Sequence, residues 1–258
     1  MPMDIKSWLR TARNLVNGAA QAESTENQQS IRAGRYNELF TLTPMPPKQL
    51  SADEGSYFAF TNPTPGTGVA YGSGGTQASF SDTVPFMLLF NNAAVGSSIR
   101  AFLDYIKLIQ IGGTAPASTT SVQAAVKIDS SNRLNTAGTL TTITGVNPNQ
   151  DSSAQPVSKL YVPAGAVATI PAAGSSARLI GRAQLKGGPT LLLDEYNLNF
   201  GFDDIPSSGG YLTTVASYQT RMPPVVLGPQ QWAVVHLWLP GGATNPFTFE
   251  FEVGVRER

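Results

Sequence analysis

From Phe247 to Arg256 apolar and polar side chains alternate without a break. Phe247, Phe249, Phe251, Val253 and Val255 fall on one parity, and Thr248, Glu250, Glu252, Gly254 and Arg256 on the other. Successive side chains of a strand point to opposite faces, so this period specifies a strand with one buried and one wet face. Such a strand needs neighbours for its backbone groups and a second layer to cover its phenylalanines. The stretch before it, Gln231 to Leu239, comes after a Gly228-Pro229 turn. Pro240-Gly-Gly-Ala-Thr-Asn-Pro246 then leads into Phe247, so the two segments are expected to pair as a hairpin.

Short apolar runs divided by turn residues recur from Asp82 onward, as in a sandwich or barrel. Phe86 to Phe90 is apolar throughout and Ile99 to Ile111 is apolar on both parities, so both are expected to be buried on two faces. Ser121 to Ile128 alternates. Val122, Ala124, Val126 and Ile128 mark a core side, and Ser121, Gln123 and Lys127 a wet one. Further strands are expected at Lys159 to Val162, Ala166 to Ile170, Ala177 to Leu185, Thr190 to Leu193, Tyr211 to Ser217 and Pro224 to Leu227. Roughly eight to eleven strands with no strong helix between them exclude an α/β architecture. The expected fold is all-β: a jelly-roll-like antiparallel β-sandwich over residues 82–258, preceded by an N-terminal helix and an extended arm.

The helix is read from Ile5, Trp8, Leu9, Ala12, Leu15 and Val16, which recur at three-and-four spacing behind a potential N-cap, Asp4. Its apolar stripe finds no answering segment nearby in sequence. It either folds back on the sandwich, docks on a neighbouring subunit, or lies on a membrane surface. A polar connector completes residues 1–32. Residues 33–81 then carry Pro44, Pro46, Pro47, Pro63 and Pro65 and a run of glycines, which disfavour long regular elements. An arm is expected there, with short strands at Asn37 to Leu42 and Tyr57 to Thr61, running along another molecule.

Charge and residue usage narrow the function. Lys plus Arg and Asp plus Glu both number 17, so no net field draws the chain to a polyanion. Charged residues make up 13%, about half the ~25% of typical soluble domains, which suits a surface that meets other subunits. Cys is absent, which removes thiolate chemistry and Cys-based metal sites. The first residues lack a signal peptide's basic and apolar regions, and no apolar run is long enough to span a bilayer, so synthesis in a cytosol and no membrane partner are expected.

The one histidine, His236, shares parity with Trp232, Val234 and Trp238 and has no local nucleophile or orienting acid, so packing is its expected role. The doublets Asp53-Glu54, Asp194-Glu195 and Asp203-Asp204 are expected to be solvated loop acids, because adjacent strand residues face opposite ways and no calcium-loop pattern surrounds them. Gly66-Thr-Gly68-Val-Ala-Tyr-Gly72 lacks the third glycine and the helix of a dinucleotide loop. Tyr161, Tyr211 and Tyr218 are candidates for stacking on a sugar. No catalytic residue, cofactor or metal is expected.

Several phrases together resemble proteins from the structural gene cassettes of tailed bacteriophages. They are Phe40-Thr-Leu-Thr-Pro44, Glu54-Gly-Ser-Tyr-Phe58, Thr61-Asn-Pro-Thr-Pro-Gly-Thr-Gly68, Gly228-Pro-Gln-Gln-Trp232, His236-Leu-Trp-Leu-Pro240 and Phe249-Glu-Phe-Glu-Val-Gly254. The resemblance implies a virion component made in the host cytoplasm, a decoration or cement protein on the outer capsid surface. The major capsid protein of the shell would be its partner, with self-association as a trimer and no nucleic acid. A tail or head-fibre component and a carbohydrate-binding module stand as alternatives. The expected contact residues are Ile5, Trp8, Leu9, Ala12, Leu15, Val16, Phe40, Leu42, Tyr57 and Phe58.

Overall fold

The alternation at the end of the chain is a strand, β15 (Thr248–Glu257). The computed structural model describes residues 32–33, 39–40, 47–70, 80–112, 122–134, 140–164, 168–185, 192–201, 217–239 and 247–258. The chain divides into two units, Met1–Pro47 and Lys48–Arg258. In the first, β1 (Arg32–Ala33) and β2 (Leu39–Phe40) pair antiparallel, Arg32 opposite Phe40. The helix expected over residues 4–16 lies outside the described residues, as does Leu42.

At the boundary of the two units lies α1 (Pro47–Asp53). A proline in the first helical turn gives up an N–H that has no partner there anyway, so Pro47 starts the helix. Gly55 ends it at φ 73°, in the left-handed region that glycine adopts without strain. This helix replaces part of the expected extended arm.

Two sheets pack as a sandwich. The first has the order β10 (Arg178–Gln184), β7 (Gln123–Asp129), β14 (Trp232–Trp238), β5 (Met87–Asn91), β9 (Ser158–Pro163) and β8 (Leu140–Ile143). The second runs β12 (Ser217–Met222), β11 (Glu195–Phe200), β6 (Ala101–Gly112), β15 and β3 (Tyr57–Thr61). Its flanks are extended by β13 (Val225–Leu227) on β6 and β4 (Val69–Ala70) on β15. Among the described residues all pairs are antiparallel except β11–β12, which is parallel. The inner faces meet in one core that includes Phe60, Phe86, Ile106, Leu108, Tyr196, Val235, Leu237, Phe249 and Val253.

The expected hairpin does not form. β14 pairs with β5 and β7 in the first sheet, whereas β15 pairs with β6, β3 and β4 in the second. Both segments are strands, but they belong to opposite sheets.

The expected arm also contributes to the sandwich. Phe58 and Phe60 of β3 are buried in the core at 2% and 0% exposure, and β3 pairs with β15 from Glu252 to Arg256. The sandwich therefore begins well before Asp82. Strand boundaries shift elsewhere too. Thr190 to Leu193 is not a described strand; Leu192 and Leu193 form a turn and the strand begins at Glu195. β12 begins where the expected Tyr211 to Ser217 strand ends, and residues 168–170 are irregular.

One long flank of the sandwich is bridged from sheet to sheet, and on the other the edge strands lie side by side. Ala59 of β3 and Val146, just beyond β8, exchange both backbone hydrogen bonds at 2.9 and 2.8 Å. On the opposite flank β10 lies beside β12, and a Cβ on Gly181 would sit 2.7 Å from the Met222 sulfur. The bridge at Ala59 and Val146 satisfies backbone groups on that edge that would otherwise invite pairing with another chain.

Candidate functional site

The outer face of the first sheet is covered by the chain itself. Leu88, Phe90, Tyr161, Ile170, Trp232 and Val234 form a second apolar cluster there, with Phe90 and Trp232 stacked at 4.1 Å. Tyr161, a candidate for sugar stacking, is 9% exposed inside this cluster and is not a surface platform. The wet side expected on β7 is likewise covered, since Gln123 and Ala125 are 3% and 0% exposed.

At the end of this covered face a charged knot ties three loops to the sheet. Asp82 accepts from Lys127 Nζ at 2.5 Å, from Arg133 Nη1 at 3.2 Å and from the Ala173 amide at 2.8 Å. Asp129 accepts from the Ser131 amide at 2.9 Å and the Gly174 amide at 3.0 Å, and lies 3.4 Å from Arg133 Nη1. Arg133 is 1% exposed and also donates to the Asp82 carbonyl at 2.8 Å. Burial alone would raise both carboxyl pKa values. For Asp82 the bonds from Lys127 and Ala173 and the nearby cations outweigh it; for Asp129 the bonds from Ser131 and Gly174 and the Arg133 charge do, so both end below the usual range.

His236 lies against this knot. Its Nδ1 is 3.3 Å from the Val84 carbonyl, its Nε2 is 3.9 Å from Asp82, and Phe80 packs on its ring at 4.6 Å. Burial pushes its pKa down to about 4, against smaller upward pulls from the Val84 bond and Asp82. A neutral, enclosed imidazole among structural ion pairs matches the packing role read from its parity. Every charge in the knot is engaged in holding loops, not directed at a cavity. Glu257, 8% exposed, works similarly, accepting the Ser158 and Val157 amides at 2.7 and 2.9 Å and so fastening the second sheet to β9 of the first.

The acidic doublets separate on inspection. Asp53 and Glu54 are both exposed to solvent, as expected. Asp194 is not a solvated acid: it is fully buried and accepts from the Tyr196 hydroxyl at 3.3 Å, while its neighbour Glu195 is half-buried beside Lys107 at 3.7 Å. Asp203 and Asp204 lie outside the described residues. Tyr218 is stacked on Tyr196 at 5.5 Å, and Tyr211 lies outside the described residues.

The second sheet turns a polar face outward. β6 reverses its parity at Asp104, where the register with β15 slips between Gly254 and Val255. Phe102 and Asp104 before the bulge, and Tyr105, Lys107 and Ile109 after it, consequently all leave the core. That is why Ile99 to Ile111 looks apolar on both parities without being buried on both faces. Across the strands Thr61, Glu252, Lys107, Asn197 and Gln219 stand side by side in register. Beside this row a groove of about 160 Å³ opens between the Asn62 to Pro65 turn and Lys107, Ile109, Glu250 and Glu252. Tyr105 donates to Glu252, and the Gly66 amide donates to Glu250. Glu250 and Glu252 stand on the polar parity of their strand in the sequence, but no local signal marks their neighbours, which lie far away in the chain.

Of the expected contact residues, Phe58 is enclosed in the core, and Tyr57 is half-buried with its hydroxyl donated to Asp104 at 2.7 Å. Phe58 is a correction, because its side chain is enclosed in the core of its own chain. Phe40 pairs with Arg32 in the first unit, and Ile5, Trp8, Leu9, Ala12, Leu15, Val16 and Leu42 lie outside the described residues. No protein-family model, curated protein or solved structure matches the chain.

Proposed function

We propose that this protein is a non-enzymatic structural component of a bacteriophage virion, a decoration protein that binds the major capsid protein on the outer shell and stabilises it, assembling there as a trimer. The observation that carries this reading is the economy of the sandwich. The described members of its core all come from Phe58 onward, and residues 1–47 form a unit of their own. The sandwich with its loops tied down is a suitable head, and a leading unit of its own is a suitable element for reaching a neighbouring subunit. The low charge content and the phrases that resemble phage structural proteins support the same conclusion.

Removal of residues 1–30 tests it. The truncated protein is expected to keep a cooperative thermal transition and its melting temperature while losing binding to shells stripped of the native protein. Undiminished affinity for those shells would overturn the assignment. Copy number per particle separates a shell position from a tail or head-fibre position.

A further inference from the structure

We propose that the outer face of the second sheet binds a neutral oligosaccharide, with one sugar ring seated in the groove formed by Asn62, Pro65, Lys107, Ile109, Glu250 and Glu252. The chemistry of the face selects this class. Lys107 stands directly beside Glu252 in register, so an anion drawn to the ammonium meets the Glu252 carboxylate and a cation drawn to that carboxylate meets the ammonium. Vicinal hydroxyls do not suffer this conflict, because each can donate to a carboxylate and accept from the ammonium. Pro65 and Ile109 offer aliphatic surface to the C–H face of a pyranose.

The groove is also held in shape before any ligand arrives. The Asn62 side chain donates to the carbonyls of Thr64 and Thr67, fixing the turn that forms one wall. Glu250 and Glu252 are each oriented through one carboxylate oxygen, by the Gly66 amide and the Tyr105 hydroxyl, and the other oxygen of each remains for a ligand. Gly254 leaves the gap in which the Tyr105 ring lies, since a Cβ there would fall 2.5 Å from the ring. Side chains fixed in advance lose little entropy on binding. At about 160 Å³ the groove is smaller than the ~300–1,000 Å³ that encloses a drug-sized ligand. It suits one ring of a chain that continues across the strands from Lys107 toward the exposed Gln219.

The test uses the purified full-length protein without shells, so its result is independent of shell binding. Titration calorimetry and saturation-transfer NMR are run with neutral hexasaccharides built on glucose, galactose and N-acetylglucosamine, and with a sialylated oligosaccharide and oligolysine as charged probes. Binding of a neutral hexasaccharide is expected, weakened at least tenfold by Lys107→Ala and by Glu250→Gln and unchanged by Arg178→Ala on the edge of the other sheet. Lys107 is half-buried on the surface, and an unaltered melting temperature shows that its variant is folded. The proposal is overturned by any of three results: no neutral sugar binding at millimolar concentration, binding undiminished in both groove variants, or preference for oligolysine or the sialylated probe.

Discussion

His236 stays neutral in the folded protein because its ring is enclosed by Phe80, Val84 and the charged knot around Asp82. Its pKa falls from 6.5 to about 4 on folding. Between those values the unfolded chain takes up a proton that the folded chain refuses, so stability is full above the unfolded value and declines as pH drops toward the folded one. The decline amounts to about 3 kcal/mol at most for a shift of this size. Asp82 and Asp129, whose pKa values are lowered, add a further loss as pH falls through their own folded values. Urea unfolding at about pH 7 and about pH 4.5 should show the wild-type midpoint falling, and His236→Leu should remove most of that fall. Arg133 is the second test at this scale. Arg133→Met would leave Asp129 buried without its cation, and a loss of about 3 kcal/mol in unfolding free energy is expected, near the low end for a broken buried pair because Asp82 keeps contact with water.

Strands β6 and β15 carry the centre of the second sheet, and Gly254 sits where their register slips. A Cβ there would meet Tyr105 and the Tyr57 hydroxyl, both of which are tied to acids on the outer face. Gly254→Val is therefore expected to cost about 1–3 kcal/mol by overpacking, read as a lower melting temperature, and to disturb the tyrosine pair. This same slip explains what the sequence hides. The alternation of β15 is fully legible because its parity never breaks, and β5 is legible because all five of its residues are buried. Strand β6 misleads because a bulge at Asp104 exchanges its faces, and neither bulges nor sheet membership leave a mark on local patterning. The pairing of β14 with β5 and β7, in preference to β15, and the meeting of Asp82 with Arg133 are contacts between segments remote in sequence. α1 escapes notice because Pro46-Pro47 reads as a breaker when approached only from its N-terminal side. The groove shares this fate: its two glutamates are visible as a polar parity, but Lys107 and the Asn62 turn reach them only through tertiary pairing.

The extent of the sandwich distinguishes two views of the whole chain. If residues 33–81 were an arm for another molecule, a chain beginning at Asp82 would be a complete domain. The described core instead includes Phe58, Phe60 and Val69, and β3 and β4 together cover one edge of β15 along most of its length. Fully burying a phenylalanine contributes roughly 1.5–3 kcal/mol, so loss of Phe58 and Phe60 alone removes about 3–6 kcal/mol. A domain's total stability is only about 5–15 kcal/mol. The same truncation would strip the partner of Val146 and leave the backbone of β15 open along that edge, inviting aggregation. A chain beginning at Lys48 should therefore unfold cooperatively, with a melting temperature close to that of the full-length protein. One beginning at Asp82 should be insoluble, or soluble only without a cooperative transition. Thermal unfolding tracked by circular dichroism, with size-exclusion chromatography to detect aggregates, compares the two. A cooperative, monomeric Asp82 chain would return residues 48–81 to the role of an arm and confine the sandwich to residues 82–258.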